Sequence, residues 1–228
     1  MTNSLRYEIK FILNEMNYSV FTQWITHFTN CTRKYSDRKI NNLYFDDSDF
    51  NSVKDNLIGL PVRSKIRLRW YGDETNLFHS PILEEKFRKG RLGGKQHLPM
   101  HSLNGQMYNL HLNNINRKIQ KYCNNSGNLI SENYYSPSLY VNYVRQYYQD
   151  QNNFRITVDS EINFSIPLLS KKVQDLELLQ FRNRVLEIKF NADQKYYASN
   201  LLKNLNLIPT RNSKYLLGLA MLGQLSYI

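Results

Sequence analysis

Three cations stand at every second position of the segment Val62–Tyr71, VRSKIRLRWY. In an extended strand, Lys65, Arg67 and Arg69 lie on one face and the apolar residues between them lie on the other. Like charges along one face repel one another unless an anion or acidic side chains lie opposite them. The segment therefore predicts a strand whose basic face binds an anion.

Six other segments show the same alternation of charged and apolar residues. For any one of them, a sheet with one face in water is the ordinary explanation. Seven such segments together predict an α+β fold built on a closed antiparallel β-barrel, with a polar, basic interior and an apolar outer face packed on helices. The six segments are 5–13, 39–45, 82–89, 138–148, 154–162 and 184–190.

Helices and turns are predicted between these segments. Asn14 or Asn17 can cap a helix that ends near Thr29, and residues 46–48 can cap a short helix that ends at Gly59. Further predictions are a flexible glycine turn at 90–94, mainly helix and loop at 99–133, and helices at 192–204 and 215–223.

The composition is that of a folded, basic chain. Because 41% of its 228 residues are hydrophobic and no Pro/Gly/Ser-rich linker interrupts them, we expect one domain over 1–228. The 30 basic and 19 acidic residues give a net charge of +11. Such an excess favours a polyanionic partner, namely nucleic acid, phosphate chains or an anionic membrane, although a basic surface can also serve solubility alone.

The two cysteines, Cys31 and Cys123, lie far apart and lack the spacing of zinc ligands. This usage is typical of a reducing compartment, and we expect a cytoplasmic protein. The sequence predicts neither a secretory leader nor a membrane span, since no apolar run is long enough. The five histidines show no metal-ligand spacing and are assigned no role.

Eight segments follow one another in the order of a known family. Together they resemble the VTC domain, the polyphosphate-polymerase domain of the CYTH-like triphosphate tunnel metalloenzyme superfamily. One E-x-K motif is common by chance, but eight segments in order across nearly the whole chain are specific. They are RYEIKF (6–11), NLYFDD (42–47), VRSKIRLRWYG (62–72), LEEKFRKG (83–90), YVNYVRQYY (140–148), FRITVDSEI (154–162), VLEIKF (185–190) and RNSKYLLGL (211–219).

The resemblance implies a tunnel of eight antiparallel strands, surrounded by helices, that binds a triphosphate or a phosphate chain. It implies an ATP-dependent polyphosphate polymerase that uses Mn²⁺ or Mg²⁺. The catalytic residues it implies are Arg67, Arg69, Lys86, Arg145 and Arg155, and the phosphate-binding residues are Lys10, Lys95, Lys189, Arg211 and Lys214. The implied metal ligand is Glu187, supported by Glu8, Glu161 or Asp159.

One position departs from the superfamily pattern. The wider superfamily begins with an E-x-E-x-K strand, whereas here Arg6 stands in place of the first acid and is followed by Glu8 and Lys10. The strand is therefore more similar to the VTC branch than to the thiamine-triphosphatase branch, and it leaves fewer acids for a metal.

Other functions stay open. A triphosphatase would use the same site with water as the acceptor, and a non-catalytic module would hold polyphosphate without turnover. A nucleic-acid binder would need its cations on an outer face, so no specific nucleic acid is expected. The expected partners are ATP or another triphosphate, polyphosphate and, further, a separate membrane protein.

Single residues also have simpler explanations. Arg67 and Arg69 can form an exposed basic stripe, and Lys95 can be a solvated loop residue. Glu187 can be paired only with a nearby cation. The acids at 46 and 47 are predicted as helix caps rather than as catalytic groups.

Overall fold

The computed structural model describes residues 6–72, 80–89, 92–104, 107–126 and 135–225, which form an antiparallel sheet and five α-helices. The strands are β1 (Arg6–Leu13), β2 (Thr32–Asp46), β3 (Val62–Tyr71), β4 (Ile82–Lys89), β5 (Leu92–Pro99), β6 (Ser136–Gln149), β7 (Arg155–Ser165), β8 (Leu179–Phe181) and β9 (Arg184–Asn191). The helices are α1 (Glu15–Phe28), α2 (Asn51–Ile58), α3 (Leu112–Ser126), α4 (Lys195–Leu202) and α5 (Lys214–Met221). Short 3-10 segments cover His101–Leu103, Val173–Asp175 and Ala192–Gln194.

The strands follow the order β1-β9-β7-β6-β2-β3-β4-β5, and β8 pairs with β7 beside this path. Within the described residues the edge strands β1 and β5 do not pair with each other, so the sheet is not closed. The predicted closed, eight-stranded barrel with a basic interior is therefore wrong. Alternation shows which side of a strand is polar, but closure depends on hydrogen bonds between the first and last strands, which no local pattern specifies.

The predicted periodicity of β3 is confirmed. Ile66, Leu68 and Trp70 are at most 2% exposed, while Lys65 and Arg67 lie on the opposite face and are half-buried. Burial of a Leu or Ile side chain contributes about 1.5–3 kcal/mol of transfer free energy. This apolar face therefore fixes which way the basic face of β3 points.

The chain forms two compact units, each built from three segments. The first unit contains residues 6–39, 143–162 and 180–213; the second contains the described parts of 40–142, 163–179 and 214–225. The core of the first unit includes Phe11, Trp24, Phe154 and Ile188, and Trp24 Nε1 donates to Leu201 O at 3.0 Å, which links α1 to the end of α4.

The core of the second unit packs β3 and β4 against α3. It includes Leu68, Trp70, Leu83, Ile115 and Ile119, each at most 2% exposed. Within the described residues no helix is both long enough and apolar enough to cross a membrane.

The predicted cap of α1 is confirmed, because Asn14 Oδ1 accepts from Asn17 N at 2.8 Å. The N-cap position of α2 is instead occupied by Phe50, which makes no side-chain cap, while Asp47 Oδ1 accepts from Asn51 N and Asp46 Oδ1 accepts from Ser52 N, each at 3.0 Å. Gly59 ends α2 with a φ of 78°, a left-handed conformation that glycine adopts without a Cβ clash.

The predicted glycine turn is wrong where the structure describes it. Gly93 and Gly94 lie in β5, and Gly94 stands opposite Phe87 of β4, whose ring a Cβ at Gly94 would overlap. Glycine here allows close packing rather than flexibility. Lys95 consequently becomes a strand residue. Leu5, Gly90 and parts of 99–133 lie outside the described residues.

Candidate functional site

A row of polar side chains crosses β2, β3, β4 and β5 in the second unit. The register pairs Tyr44 with Arg67, Arg67 with Glu84, and Glu84 with His97. Directly opposed residues of antiparallel strands share one face and lie close enough to interact. We call Asn42, Tyr44, Arg67, Arg69, Glu84 and His97 the Glu84 cluster.

Glu84 is the common acceptor of this cluster. Arg67 Nε donates to Glu84 Oε2 at 2.5 Å, and Arg69 Nη1 lies 3.8 Å from the same oxygen. His97 Nδ1 lies 3.4 Å from the other oxygen, Glu84 Oε1. Arg69 Nε also donates to Asn42 Oδ1 at 2.9 Å. Both guanidinium groups are therefore held in fixed orientations.

The charge of Glu84 is stabilised by its neighbours. Glu84 is 5% exposed, and burial alone would raise the pKa of its carboxyl group. The charges of Arg67 and Arg69 outweigh this effect and lower the pKa of Glu84 from 4.5 to about 2. One carboxylate shared by two arginines leaves this core of the cluster with an excess positive charge.

A row of lysines lies next to the Glu84 cluster on the same face. Lys65 of β3 is opposite Lys86 of β4, and Lys86 is opposite Lys95 of β5. Lys86 and Lys95 are exposed, and Lys65 Nζ lies 5.8 Å from the ring centre of Tyr215. Cross-strand like charges destabilise a sheet. The face is consequently suited to an anionic ligand.

Tyr215 fixes the start of α5 in the second unit. Its hydroxyl donates to Asp46 Oδ2 at 2.7 Å and lies 2.9 Å from Ser138 Oγ. Its ring stacks on Tyr44 at 4.8 Å. The predicted phosphate-binding residue Lys214 immediately precedes Tyr215, so its backbone is fixed at the beginning of this helix.

A second charged cluster lies in the first unit, on β1 and β9. The register places Glu8 opposite Lys189 and Lys10 opposite Glu187, so opposite charges face each other across the two strands. We call these four residues the Glu187 cluster.

The Glu187 cluster is a network of ion pairs. Lys10 Nζ lies 2.8 Å from Glu8 Oε1 and 3.7 Å from Glu187 Oε2, and it donates to Asn212 O at 3.1 Å. Lys189 forms a close ion pair with Glu187 and lies 3.9 Å from Glu8 Oε2. Burial would raise the pKa of Glu187, but the charges of Lys189 and Lys10 outweigh it and hold that pKa well below its ordinary value.

Arg145 is bound by a buried carboxylate of the same unit. Its Nε and Nη2 atoms donate to the two oxygens of Asp159 at 2.5 and 2.8 Å, and Asp159 is 0% exposed. Burial would lower the pKa of Arg145, but the charge of Asp159 outweighs it and raises that pKa. This bidentate pair fixes the guanidinium orientation of Arg145.

Two buried hydroxyl groups adjoin the Glu187 cluster. Thr157 lies opposite Glu187 in the register, and the backbone N of Thr210 donates to Lys10 O at 2.7 Å. Within the described part of the chain, neither Thr157 Oγ1 nor Thr210 Oγ1 has a hydrogen-bond partner. Because buried hydroxyl groups are normally satisfied, these two oxygens indicate room for a polar ligand.

These oxygens fit a hard divalent cation. Glu8 and Glu187 supply carboxylates, and Thr157 supplies a hydroxyl oxygen, which are the donor types that Mg²⁺ and Mn²⁺ prefer. The described residues contain no group of three or more His, Cys, Asp or Glu that could hold a metal. The protein would therefore contribute one or two carboxylates, and substrate oxygens or water would complete the shell.

The remaining predicted residues are not members of either cluster, although two of them are adjacent to the Glu187 cluster. Arg155 is exposed on β7, opposite Lys189 of β9. Arg211 is exposed, and the residues on both sides of it, Thr210 and Asn212, are hydrogen-bonded to Lys10. Glu161 is also exposed on β7, and its φ is 51°.

Several residues of the Glu84 cluster were not predicted as site residues. Glu84 and Lys86 are two residues apart, so their side chains lie on the same face of a strand. The sequence therefore indicates that Glu84 shares the basic face. His97 lacks any such signal, because the sequence predicts a turn at 90–94 and no strand after it. Asn42 and Tyr44 were included in a strand, but only its pairing with β3 brings them to Arg69 and Arg67.

Comparison with known proteins gives a family and a fold. The VTC domain family model matches residues 5–223. No curated protein matches the chain. The fold is similar to that of HpAC1 from Hippeastrum, an adenylyl cyclase candidate with a dominant triphosphatase activity, with a TM-score of 0.55 and 13% identity over 94% of this chain and 95% of that one.

Two further solved structures are similar. The PH1819 protein from Pyrococcus horikoshii has a TM-score of 0.52 and 14% identity, covering 96% of this chain and 99% of its own. An adenylate cyclase candidate from Vibrio parahaemolyticus has a TM-score of 0.52 and 11% identity, covering 95% and 99%. At these identities the likeness concerns the fold alone.

Proposed function

The chain belongs to the VTC domain family, and from this premise we propose that it transfers the terminal phosphoryl group of a nucleoside triphosphate to the end of a polyphosphate chain. The observation that carries this proposal is the basic face of β3, β4 and β5. On this face a row of three lysines, Lys65, Lys86 and Lys95, lies next to the Glu84 cluster. In that cluster two arginines, Arg67 and Arg69, share the carboxylate of Glu84.

In this proposal, the Glu84 cluster binds phosphate oxygens. Glu84 and Asn42 hold the Nε atoms of Arg67 and Arg69, so the two guanidinium groups are oriented before a substrate binds. Preorganised donors lower a barrier because they do not have to reorganise as charge develops. Lys86 and Lys95 add positive charge on the adjacent strands, where further phosphate oxygens would be neutralised.

Phosphoryl transfer requires alignment and neutralisation of charge rather than a covalent nucleophile. An oxygen of the terminal phosphate of the chain forms a bond to the γ-phosphorus of ATP. The bond from that phosphorus to its bridging oxygen breaks, and ADP leaves with the bonding electrons. The chain thereby grows by one phosphoryl group. During the transfer, the arginines neutralise the charge on the equatorial oxygens of that phosphoryl group.

The Glu187 cluster is proposed to hold the divalent cation, Mn²⁺ or Mg²⁺. Glu187 and Glu8 would provide the carboxylates, and the charges of Lys189 and Lys10 hold the pKa of Glu187 well below its ordinary value. When bound, the cation supplies neutralisation of charge on phosphoryl oxygens. Three further arginines are proposed to bind phosphate oxygens. They are Arg145, whose guanidinium group is oriented by Asp159, together with Arg155 and Arg211.

Hydrolysis of a triphosphate is the second candidate function. It is favoured by the fold similarity to HpAC1, which is described as having a dominant triphosphatase activity. The same residues would act, but water would replace the chain end as the acceptor, so that ADP and inorganic phosphate would form.

Incubation with ATP and Mn²⁺ or Mg²⁺, followed by separation of free phosphate from long-chain product, tests both candidates. Growth of a polyphosphate ladder is expected for the polymerase, and release of free phosphate alone would identify a triphosphatase. Polyphosphate binding without loss of the γ-phosphate would indicate a passive module. Steeply salt-dependent binding of DNA or RNA with neither activity would contradict the proposal.

A further inference from the structure

Tyr44, a member of the Glu84 cluster, is stacked on Tyr215 in the second unit. The ring centres lie 4.8 Å apart, and the ring planes differ by 8°. Tyr44 belongs to β2 and is 8% exposed, whereas Tyr215 is the second residue of α5 and is 1% exposed. The stacked pair therefore joins the cluster to a helix that comes much later in the chain.

Two cations of β3 contact this stacked pair. Arg67 Nη1 donates to the hydroxyl of Tyr44 at 3.4 Å, and Lys65 Nζ lies 5.8 Å from the ring centre of Tyr215. A cation within about 6 Å of a ring centre is attracted to the face of the ring. Because Lys65 and Arg67 are two residues apart, they lie on the same face of β3, and each contacts one ring of the pair.

The guanidinium group of Arg67 is held at two of its nitrogens. Nε donates to Glu84 Oε2 at 2.5 Å, and Nη1 donates to Tyr44. One hydrogen bond leaves the group free to rotate about that bond, whereas bonds from two nitrogens fix its plane. The bond to Tyr44 is longer than most N–H···O bonds, so a small displacement of Tyr44 would break it. The orientation of Arg67 therefore depends on where the Tyr44 ring is held.

Tyr215 is held at its hydroxyl and along its helix. The hydroxyl donates to Asp46 Oδ2 at 2.7 Å and lies 2.9 Å from Ser138 Oγ. Burial raises the pKa of Tyr215, so the hydroxyl stays protonated and can donate. On the next turn, a Cβ at Gly218 would lie 2.5 Å from Phe164 Cδ1, so α5 packs directly against the sheet.

Asp46 connects Tyr215 to the start of α2. It is 1% exposed, and its Oδ1 accepts from Ser52 N at 3.0 Å while its Oδ2 accepts from Tyr215. A buried carboxylate oxygen that loses its hydrogen bond is left unsatisfied at a free-energy cost, which keeps the hydroxyl of Tyr215 in place. The contacts thus run from α2 through Asp46, Tyr215 and Tyr44 to Arg67.

We propose that Tyr215 is a positioning residue of the Glu84 cluster, and that it orients Arg67 through Tyr44 and Lys65 through its own ring face. The inference rests on the proposed function, because Arg67 is assigned there to phosphate binding. Tyr215 itself is buried and acts by keeping two cations in place before an anion arrives. Donors that are already oriented bind more tightly, since less freedom is lost on binding. Loss of the Tyr215 hydroxyl should therefore weaken binding only when Arg67 is present.

Binding of tripolyphosphate without turnover tests the proposal. Isothermal titration in metal-free buffer at fixed salt would measure Kd for the wild type, Tyr215→Phe, Tyr44→Phe, Arg67→Ala and the double variant Arg67→Ala/Tyr215→Phe. Phenylalanine keeps each ring and removes only the hydroxyl, so the stack and the contact with Lys65 are retained. The double variant shows whether Tyr215 acts through Arg67.

Tyr140→Phe is the matched control. Tyr140 is 3% exposed in the same unit, its ring stacks on Trp70 at 6.0 Å, and its hydroxyl donates to Asn41 Oδ1 at 2.8 Å. Asn41 and Tyr44 lie on opposite faces of β2, so this bond belongs to a different network. Tyr140→Phe and Tyr215→Phe each remove one buried hydroxyl, and both should lower stability in urea denaturation. A difference in Kd between them is therefore not explained by stability.

Tyr215→Phe and Tyr44→Phe are each expected to raise the Kd about three- to tenfold, and Arg67→Ala about 10- to 100-fold. Tyr140→Phe should match the wild type. In the Arg67→Ala background, Tyr215→Phe should change the Kd less than about twofold, because the group that it positions is gone. Wild-type affinity of Tyr215→Phe, Tyr44→Phe or Arg67→Ala would overturn the proposal. So would an equal effect of Tyr215→Phe in both backgrounds, or equal weakening by Tyr140→Phe.

Asp46 offers a second test that leaves Tyr215 unchanged. Asp46→Asn keeps an acceptor for Ser52 N and offers an NH₂ group to the hydroxyl of Tyr215, so its Kd should match the wild type. Asp46→Ala removes both contacts and should raise the Kd about three- to tenfold. Equal Kd values for the two variants would refute the role of this contact in orienting Arg67.

The measurements separate the positioning role from the proposed enzyme activity. If the wild type turns over ATP but Tyr215→Phe binds tripolyphosphate normally, the positioning role is refuted and the activity stands. If ATP is not turned over while the Kd depends on Tyr215 only in the presence of Arg67, the activity is refuted and the positioning role stands. Lack of tripolyphosphate binding by the wild type would refute the positioning role.

Discussion

The Glu84 cluster and the Glu187 cluster use similar residues with different charge balances. In the Glu84 cluster, Arg67 and Arg69 share one carboxylate, and the lysine row lies beside them. In the Glu187 cluster, two lysines face two glutamates, so the charges cancel. Arg145 and Asp159 cancel in the same way.

This difference in charge balance separates two kinds of site. The Glu84 cluster and the lysine row attract an anion, whereas in the Glu187 cluster and the Arg145–Asp159 pair each charged side chain orients its partner. A network in which the charges are balanced gains little by adding an anion, whereas a face with more cations than carboxylates attracts one. We therefore expect substitutions in the Glu84 cluster to affect turnover most. Substitutions in the balanced networks should affect stability and metal dependence.

The largest expected effect is loss of turnover in the double variant Arg67→Ala/Arg69→Ala. Two charge-assisted hydrogen-bonding groups at about 1.5–3 kcal/mol each correspond to a decrease in kcat/KM of about 10²- to 10⁴-fold. Phosphate release and chain growth from ATP would measure it, with circular dichroism to verify folding.

Arg117→Ala is the control for that double variant, since Arg117 is exposed on α3 in the same unit. It should retain wild-type kcat/KM. A folded double variant with wild-type turnover would contradict the assignment of the Glu84 cluster to phosphate binding.

The next effect concerns stability. Asp159→Ala leaves the charge of Arg145 buried and unpaired, which is expected to lower the free energy of unfolding by about 3–5 kcal/mol. Urea denaturation would measure this. The double variant Arg145→Met/Asp159→Leu removes both charges and should be closer to the wild type. A double variant less stable than Asp159→Ala would show that this pair does more than balance charge.

Acid should destabilise the protein through Glu84. Because its pKa is lower in the folded protein, about 2 against 4.5, its stabilising contribution is complete above pH 4.5 and is lost as the pH falls toward 2. The corresponding free energy is of the order of 3 kcal/mol. Glu84→Gln should lack this part of the pH dependence in urea titrations, whereas Glu177→Gln, at an exposed position, should retain it.

The smallest effect is on metal dependence. Glu187→Gln removes one proposed metal ligand. The Mn²⁺ concentration for half-maximal turnover should therefore rise about 10- to 100-fold, the range found when a residue that hydrogen-bonds a metal ligand is lost. Glu84→Gln should leave that concentration unchanged. If both variants shift it equally, the division of roles between the two clusters is wrong.

Much of the local structure could be predicted from alternation and capping residues. The basic face of β3 and the Asn14 cap both rest on residues close in sequence. β5 could not be predicted, because Gly94 looks like a turn glycine in the sequence. In the structure, the absence of a Cβ at Gly94 lets the ring of Phe87 pack against the strand. Likewise, the role of His97 depends on a strand that the sequence did not indicate.

The sequence by itself determined the charge of each strand face and the family to which the chain belongs, because both depend on residue type and spacing alone. Only the tertiary structure decided that β1 and β5 stay unpaired within the described residues, and that Glu84 lies between two arginines. It also decided that the ring of Tyr215 stacks on Tyr44 while its hydroxyl donates to Asp46. The physical reason is that register and strand order arise from hydrogen bonds between distant segments, which no local pattern encodes.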